Sequence, residues 1–410
     1  MIDLNLLREQ QDAIACKILK KDPAFPVNRL IELDRDVRLL KTSVEALRQK
    51  KNECADAAKK GVTPELREQS TRIGKELKEL EERLVIAQEE FDVVYLRCPN
   101  IPTDDVPEGN KESNVVVRTV GQKPYFDFPV RHHVELGAMN DWFDLERGAK
   151  IAASNFILYK QAGAQVIYAL TRFMMKNNMK HGFELWYPPY MVNSESLVVT
   201  GNFPKFKDEV FSIMHEDLFA IPTAEVPLTN IYRDEILEIK DLPKRMTAWT
   251  SCFRREAGGY GRNERGLIRI HQFEKVELVV LCEPDKSAHE QERMIACAEE
   301  MLKELGLHYR VSLLAAQDCS FASAKTYDIE VWLPGQNAYY EVSSASNCTD
   351  FQSRRGKIRY RKTATDKPQL VHTLNASAIA LSRLMVALLE TYQKEDGSID
   401  LPACLKREML

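Results

Sequence analysis

No two of the nine cysteines, Cys16, Cys54, Cys98, Cys252, Cys282, Cys297, Cys319, Cys348 and Cys404, stand closer than fifteen positions, so the 410-residue chain has no CxxC pair. This argues against a zinc ribbon or a thioredoxin-like site, and scattered thiols without a recognisable signal peptide predict a reducing, cytoplasmic setting. Histidine is sparse as well. There is no HExxH, and the one adjacent pair, His132–His133, would point its rings apart on a strand or helix and make a poor metal site. No apolar run approaches the roughly 18 residues that span a membrane. The phosphate loop GxxxxGK[ST], the dinucleotide GxGxxG and the GxSxG elbow are all missing, so any phosphate must be handled by side chains. Nor is there a basic excess: 57 Lys+Arg face 61 Asp+Glu, a net charge of −4, which excludes a histone-like binder of any polyanion.

What the chain does have is periodicity near its beginning. Leu30, Leu33, Val37, Leu40, Val44, Leu47, Lys51, Cys54 and Ala58 follow at alternating steps of three and four, and so do Leu66, Ser70, Ile73, Leu77, Leu80, Leu84, Ala87, Phe91 and Val94. Between the two series Gly61 is placed to cap the first helix in the left-handed region, and Thr63 followed by Pro64 reads as the N-cap and first position of the second. So short a turn demands an antiparallel hairpin, spanning about 28–96 and on the order of 45–50 Å long. Its charge is polarised. Residues 48–60 carry five cations and two acids, residues 76–92 two cations and seven acids.

Pro99, Pro102 and Pro107 end the helical pattern. A domain boundary near residue 105 gives domains 1–105 and 106–410. Beyond it, helices are predicted at about 148–177, 285–306 and 375–394, and strands at 247–256, 267–281, 309–315, 326–333 and 338–344. Strands that cluster instead of alternating with helices predict an α+β fold with an antiparallel sheet.

The strand predicted over 247–256 ends in Cys252-Phe253-Arg254-Arg255-Glu256, with Arg254 and Glu256 on one face. A glycine-rich loop, 257–266, leads to the next strand, on which Arg269, His271, Phe273, Lys275 and Glu277 share a face. Cations for phosphates, a ring for a base and acids for amines are what a nucleotide site needs. Each residue taken alone has a plainer reading. The Arg/Glu face is commonly a solvated cross-strand ion pair, Glu341 a strand-edge acid, and Arg383, on a helix expected to begin near Asn375, a solvated arginine.

Together and in order, these segments resemble the class II aminoacyl-tRNA synthetases, specifically the bacterial-type seryl-tRNA synthetases. The resemblance covers nearly the whole chain: Met1-Ile2-Asp3-Leu4, the hairpin, the proline-rich linker, Phe183-Glu184-Leu185-Trp186-Tyr187-Pro188-Pro189 as motif 1, Thr200-Gly201-Asn202-Phe203-Pro204-Lys205-Phe206, Ile221-Pro222-Thr223-Ala224-Glu225-Val226-Pro227, Phe253-Arg254-Arg255-Glu256-Ala257-Gly258 as motif 2, His271-Gln272-Phe273-Glu274-Lys275-Val276-Glu277, Val331-Trp332-Leu333-Pro334-Gly335-Gln336-Asn337, and Leu374-Asn375-Ala376-Ser377 leading to Arg383 of motif 3.

The resemblance implies a six- to seven-stranded antiparallel catalytic sheet, a homodimer built through motif 1, and ligation of L-serine to serine tRNA through seryl-adenylate, with ATP and Mg²⁺ and without zinc. It assigns catalysis to Arg254, Glu256 and Arg383. It completes the ATP site with Arg255, Ile270, Phe273, Glu341, Val342, Ser343 and Ser344, and gives Glu341 and Ser344 to the metal. Serine falls to Thr223, Ala224, Glu225, Glu277, Asn375 and Ser377. Glu341 and Ser344 are three apart and would face opposite sides of a regular strand, so a bulge is expected between them. Ala376, Ala378 and Ser382 stand where the family usually has glycines, on what is expected to be a helix lining the site. Two other readings stay open: a catalytically silent paralogue that keeps the arm as an RNA-binding or dimeric scaffold, and an aminoacyl ligase for a carrier protein, against which the long arm argues. For the arm the resemblance implies recognition of the tRNA variable arm by shape and backbone contacts, where a heptad hairpin alone suggests dimerisation.

Overall fold

Two long helices form where the three-four alternation predicts them. After short helices α1 (Leu4–Glu9) and α2 (Gln11–Lys21), α3 runs Val27–Ala58 and α4 Pro64–Leu96. The computed structural model describes residues 1–59, 61–257 and 266–410, and they divide into two units, 3–99 and 100–410.

In the first unit, Val44, Leu47 and Cys54 of α3 pack on Ile73 and Leu77 of α4, with Leu66, Leu80 and Leu84 beside them. Lys51 stays exposed at its seam position. The Thr63 hydroxyl caps α4 by accepting from the Leu66 N–H at 3.3 Å, with Pro64 in the first turn. Gly61 does not cap as expected. Helix α3 ends on Lys59 in right-handed geometry, and Gly61 follows at φ +152°, its N–H reaching back to the Ala58 carbonyl. Ion pairs cross the hairpin from Arg29 to Glu90 at 2.8 Å and from Arg48 to Glu81 at 2.7 Å.

The second unit is built on one sheet of eight strands: β1 (Val115–Val120), β2 (Glu184–Leu185), β3 (Lys244–Phe253), β4 (Gln272–Cys282), β5 (Tyr309–Leu313), β6 (Lys325–Leu333), β7 (Ala338–Asn347) and β8 (His372–Ala380). Their order is β1-β5-β6-β7-β8-β4-β3-β2. Every neighbouring pair is antiparallel except β2 with β3. The expected antiparallel sheet of six to seven strands is therefore there as seven, and motif 1 adds a short parallel eighth.

Helices α5 (Gln161–Lys180), α6 (Ser287–Glu304) and α7 (Leu381–Thr391) share one core with the sheet. Strand alternation sorts β4 between two surroundings: Val276, Leu278 and Val280 enter that core, while Val279 and Leu281 join a second cluster with Ala224, Met246 and Tyr360. Phe273, Lys275 and Glu277 fall in the odd-numbered series with that second cluster.

Three regions differ from expectation. The helix placed at 148–177 is broken: Leu145–Ile151 is a separate short helix, Asn155 takes φ +65°, and α5 starts only at Gln161. The strands flanking the glycine-rich loop are shorter on its side, ending at Phe253 and beginning at Gln272, and Glu256 turns the chain with φ +51°. The helix expected from Asn375 is strand as far as Ala380. Its alanine-rich sequence favours helix, but ladders to β7 and β4 on both sides override that propensity.

Candidate active site

Strand register assembles the site. Glu277 in β4 lies directly between Ala248 of β3 and Ser377 of β8, and Lys275 between Thr250 and Ala380. Both side chains are buried, and Lys275 Nζ sits 2.7 Å from Glu277 Oε2. Around them a cavity of about 280 Å³ is lined by Arg254, Glu256, Ile270, Phe273, Glu341, Ser377 and Arg383, together with Ile268, Arg269, Lys275, Ala380 and Ser382. Four separated segments thus converge. The Arg254 guanidinium lies over the Phe273 ring, 5.2 Å from its centroid, and its Nε donates to the Pro222 carbonyl at 3.3 Å. Glu256 is paired with Arg269 at 2.6 Å. Arg383, in the first turn of α7, donates to the backbone oxygen of Glu341 at 2.9 Å.

Glu225 opens the short helix Glu225–Asn230. Its Oε1 accepts from Gln352 Nε2 at 2.7 Å and Asn375 Nδ2 at 3.0 Å, and its N–H donates to the Thr223 hydroxyl at 3.2 Å. Burial, reinforced by the nearby Glu277 carboxylate, pushes Glu225 up to about 7, against the stabilising bond from Gln352. Ala224 beside it is fully buried and packs in the second core cluster.

Glu341 and Ser344 line a second cavity, of about 540 Å³, which shares Ile268, Glu341 and Arg383 with the first. The expected irregularity is present: pairing with β6 jumps from Ile329–Ser343 to Glu330–Glu341, leaving Val342 without an opposite number. Val342 belongs to the core, and the Ser343 hydroxyl donates to the Ser377 carbonyl at 2.5 Å, so neither side chain lines the cavities. Arg255 is exposed and lines neither of them. Asp328, opposite Ser344 on β6, also lines the second cavity; burial and the neighbouring Glu341 hold its carboxyl well above the usual carboxylate range.

Two readings are corrected here. His271 does not share the face of Phe273; its Nδ1 lies 3.0 Å from the Arg254 carbonyl and its ring packs on Phe156 and Phe211. Nor do Ala376 and Ala378 lie on a helix lining the site; they belong to β8. Both residues are fully buried in the core shared with the helices, and of the three glycine replacements only Ser382 lines the first cavity. Most of the glycine-rich loop, 258–265, lies outside the described residues.

Arg269 and Lys275 stood on the face read as a nucleotide surface but were given no part by the resemblance, and Gln352 was missed as a site residue. Lys275 had a signal, since it alternates with Phe273 and Glu277, whereas Gln352 had none. His132 and His133 do not point apart. His132 caps the helix His133–Met139, which lets the two rings stack with centroids 4.1 Å apart beside Glu390. His133 Nδ1 lies 3.0 Å from Glu390 Oε1, and its Nε2 accepts from the Leu267 N–H at 3.3 Å, as in a satisfied buried histidine.

Residues 1–102 match the model of the seryl-tRNA synthetase N-terminal domain, and residues 206–392 that of the class II tRNA synthetase core domain (G, H, P, S and T). The chain is 45% identical to a serine–tRNA ligase of Desulfotalea psychrophila, covering 99% of this chain and 98% of that protein. It is also 45% identical to one of Geobacter sulfurreducens, over 100% and 98%. The crystal structure of seryl-tRNA synthetase from Pyrococcus horikoshii complexed with ATP superposes with a TM-score of 0.94 at 35% identity, over 100% of this chain and 98% of that one. With the arm, the sheet and the convergent cavity of its fold, the chain belongs to the serine–tRNA ligases, within the class II aminoacyl-tRNA synthetases.

Proposed function

We propose that the chain joins L-serine to serine tRNA in two steps at the cavity between Arg254, Phe273 and Arg383, in the cytoplasm and as a homodimer built through motif 1. In the first step a serine carboxylate oxygen attacks the α-phosphorus of ATP, forming seryl-adenylate and releasing pyrophosphate. In the second, a ribose hydroxyl of the terminal adenosine of tRNA attacks the seryl carbonyl, and AMP leaves.

Serine's carboxylate is already ionised at neutral pH, so the first step needs alignment and charge stabilisation in place of a general base. Phe273 stacks on adenine and Glu256 accepts from its amine. Arg254 holds the α-phosphate and Arg383 the γ-phosphate, with Arg255 and the backbone at Ile270 and 341–344 completing the nucleotide site. Thr223 and Glu225 hold the serine ammonium beside Ala224. Glu277, fixed by Lys275, accepts from the serine hydroxyl with Ser377 and Asn375 nearby. A site that hydrogen-bonds a hydroxyl rejects alanine, which leaves those buried groups unpaired.

Glu341 and Ser344 would hold Mg²⁺, and hard oxygen ligands on a shared cavity wall fit such a cation. Bound there, the cation neutralises charge building on the phosphates. No zinc is assigned a part.

The observation that carries this reading is the convergence of Arg254, Glu256, Phe273 and Arg383 on one cavity. The test is exchange of labelled pyrophosphate into ATP with serine, threonine, alanine or cysteine present. Exchange with serine is expected to exceed the others by at least 100-fold; its absence in folded protein overturns the proposal.

A further inference from the structure

The second cavity brings four acids together, and they are engaged to different degrees. Glu330 receives both Arg310 nitrogens, at 2.8 and 3.1 Å, and the Ser312 hydroxyl at 2.8 Å. Asp318 accepts from Asn114 at 2.7 Å. Glu341 is half-exposed and lies 3.4 Å from Arg383 Nη1. The fourth, Asp328, is hydrogen-bonded by the Ser344 side chain, yet one of its oxygens, Oδ1, is closed off from solvent with no hydrogen-bond partner. A buried oxygen left this way carries a desolvation cost that no hydrogen bond offsets. Asp328 is nevertheless on the cavity wall, directly across the ladder from Ser344 and on the strand facing the bulge at Val342. A chain that needed only to fill this position could do so with an apolar side chain at no such cost.

We infer that Asp328 is a second carboxylate of the divalent-cation site, facing the cation together with Glu341 and Ser344. The inference rests on the reading of Glu341 and Ser344 as cation ligands and extends it to a residue on a different strand. Two carboxylates from two strands give the site a net negative charge that one glutamate beside Arg383 does not provide. That charge suits a divalent cation: Lys111 and Arg383 also line the cavity, but among the described residues neither forms an ion pair with Asp328.

The experiment measures ATP affinity of the full chain without serine, by equilibrium dialysis, once with 5 mM Mg²⁺ (about physiological excess) and once in EDTA. The ratio of the two dissociation constants reads the cation's contribution separately from turnover. Asp328→Asn is expected to cut that ratio about tenfold while leaving the affinity in EDTA unchanged or tighter. An unchanged ratio in Asp328→Asn with a collapsed ratio in Glu341→Gln overturns the role of Asp328 and leaves the cation reading standing. A ratio near one in the unaltered protein overturns both. Thermal melting in EDTA supplies the second measurement. Asp328→Asn should melt at the same temperature or higher, because without the cation it removes a poorly satisfied buried carboxyl; a melting point lowered by more than about 5 °C means that protein groups hold the carboxyl, and overturns the inference.

Discussion

Lys275 Nζ and Glu277 Oε2 meet at 2.7 Å inside the sheet, two positions apart on one strand, with both side chains shut off from solvent. Removing one partner of such a pair leaves a bare buried charge. Lys275→Met is expected to lower unfolding free energy by about 3–5 kcal/mol, and Lys275→Met with Glu277→Leu to recover most of it, as seen by denaturant titration. Serine-dependent pyrophosphate exchange should return in neither. Recovery of exchange in the double variant contradicts the part assigned to Glu277.

The carboxyl of Glu225, pushed up to about 7, gives serine binding a pH dependence. Only the ionised form attracts the ammonium, so KM for serine should fall roughly tenfold between about pH 6 and 8, with Glu225→Gln showing a flat profile. The stability effect has the opposite slope. The folded carboxyl keeps its proton to about 7 while the unfolded one releases it near ~4.3, so the native state binds more protons in between. Ligand-free stability from this group is therefore full below about pH 4 and is lost, by ~3 kcal/mol at pH 7, as pH rises through the folded pKa. Melting scans with and without serine check the sign, since bound serine should abolish the slope.

Arg254→Ala removes the guanidinium that lies over Phe273 and points to the α-phosphate in the proposed mechanism. Pyrophosphate exchange should drop by about 10²–10³, the range for losing one preorganised charge at a reacting group. Binding of serine tRNA, read by filter retention, should change by less than about twofold.

Deleting residues 35–92 and closing the gap with a short turn removes most of α3 and α4 but no residue of the second unit. Charging of serine tRNA should be abolished while serine-dependent pyrophosphate exchange stays within about threefold of the intact chain. Equal loss of both refutes the division of labour between arm and catalytic unit.

The hairpin was legible in the sequence because its periodicity is local: Val44, Leu47, Ile73 and Leu77 announce a seam without reference to any other part of the chain. The facing of Arg254 and Phe273 was legible for a similar reason, as strand alternation on either side of one loop. The bulge near Val342 followed from asking two residues three apart to share a wall. What stayed hidden depends on distant segments. Gln352 and Asn375 reach Glu225 from more than a hundred positions away, and nothing near Asn375 reveals that two strands will hold it extended. The same ladder turned Ala376 and Ala378 into core residues. Asp328 looks in sequence like any acid on an alternating strand. Only the unpartnered Oδ1 sets it apart.

The alternation along β4 ties chemistry to folding more tightly than either needs alone. On one side Val276, Leu278 and Val280 are sealed in the core; on the other stand Phe273, Lys275 and Glu277. Sliding this strand by a single position would drive a lysine and a glutamate into oil and bring valines up to the nucleotide. The hydrophobic core thus acts as a ruler for the active site. A chain able to fold at all has already set Phe273, Lys275 and Glu277 to their marks.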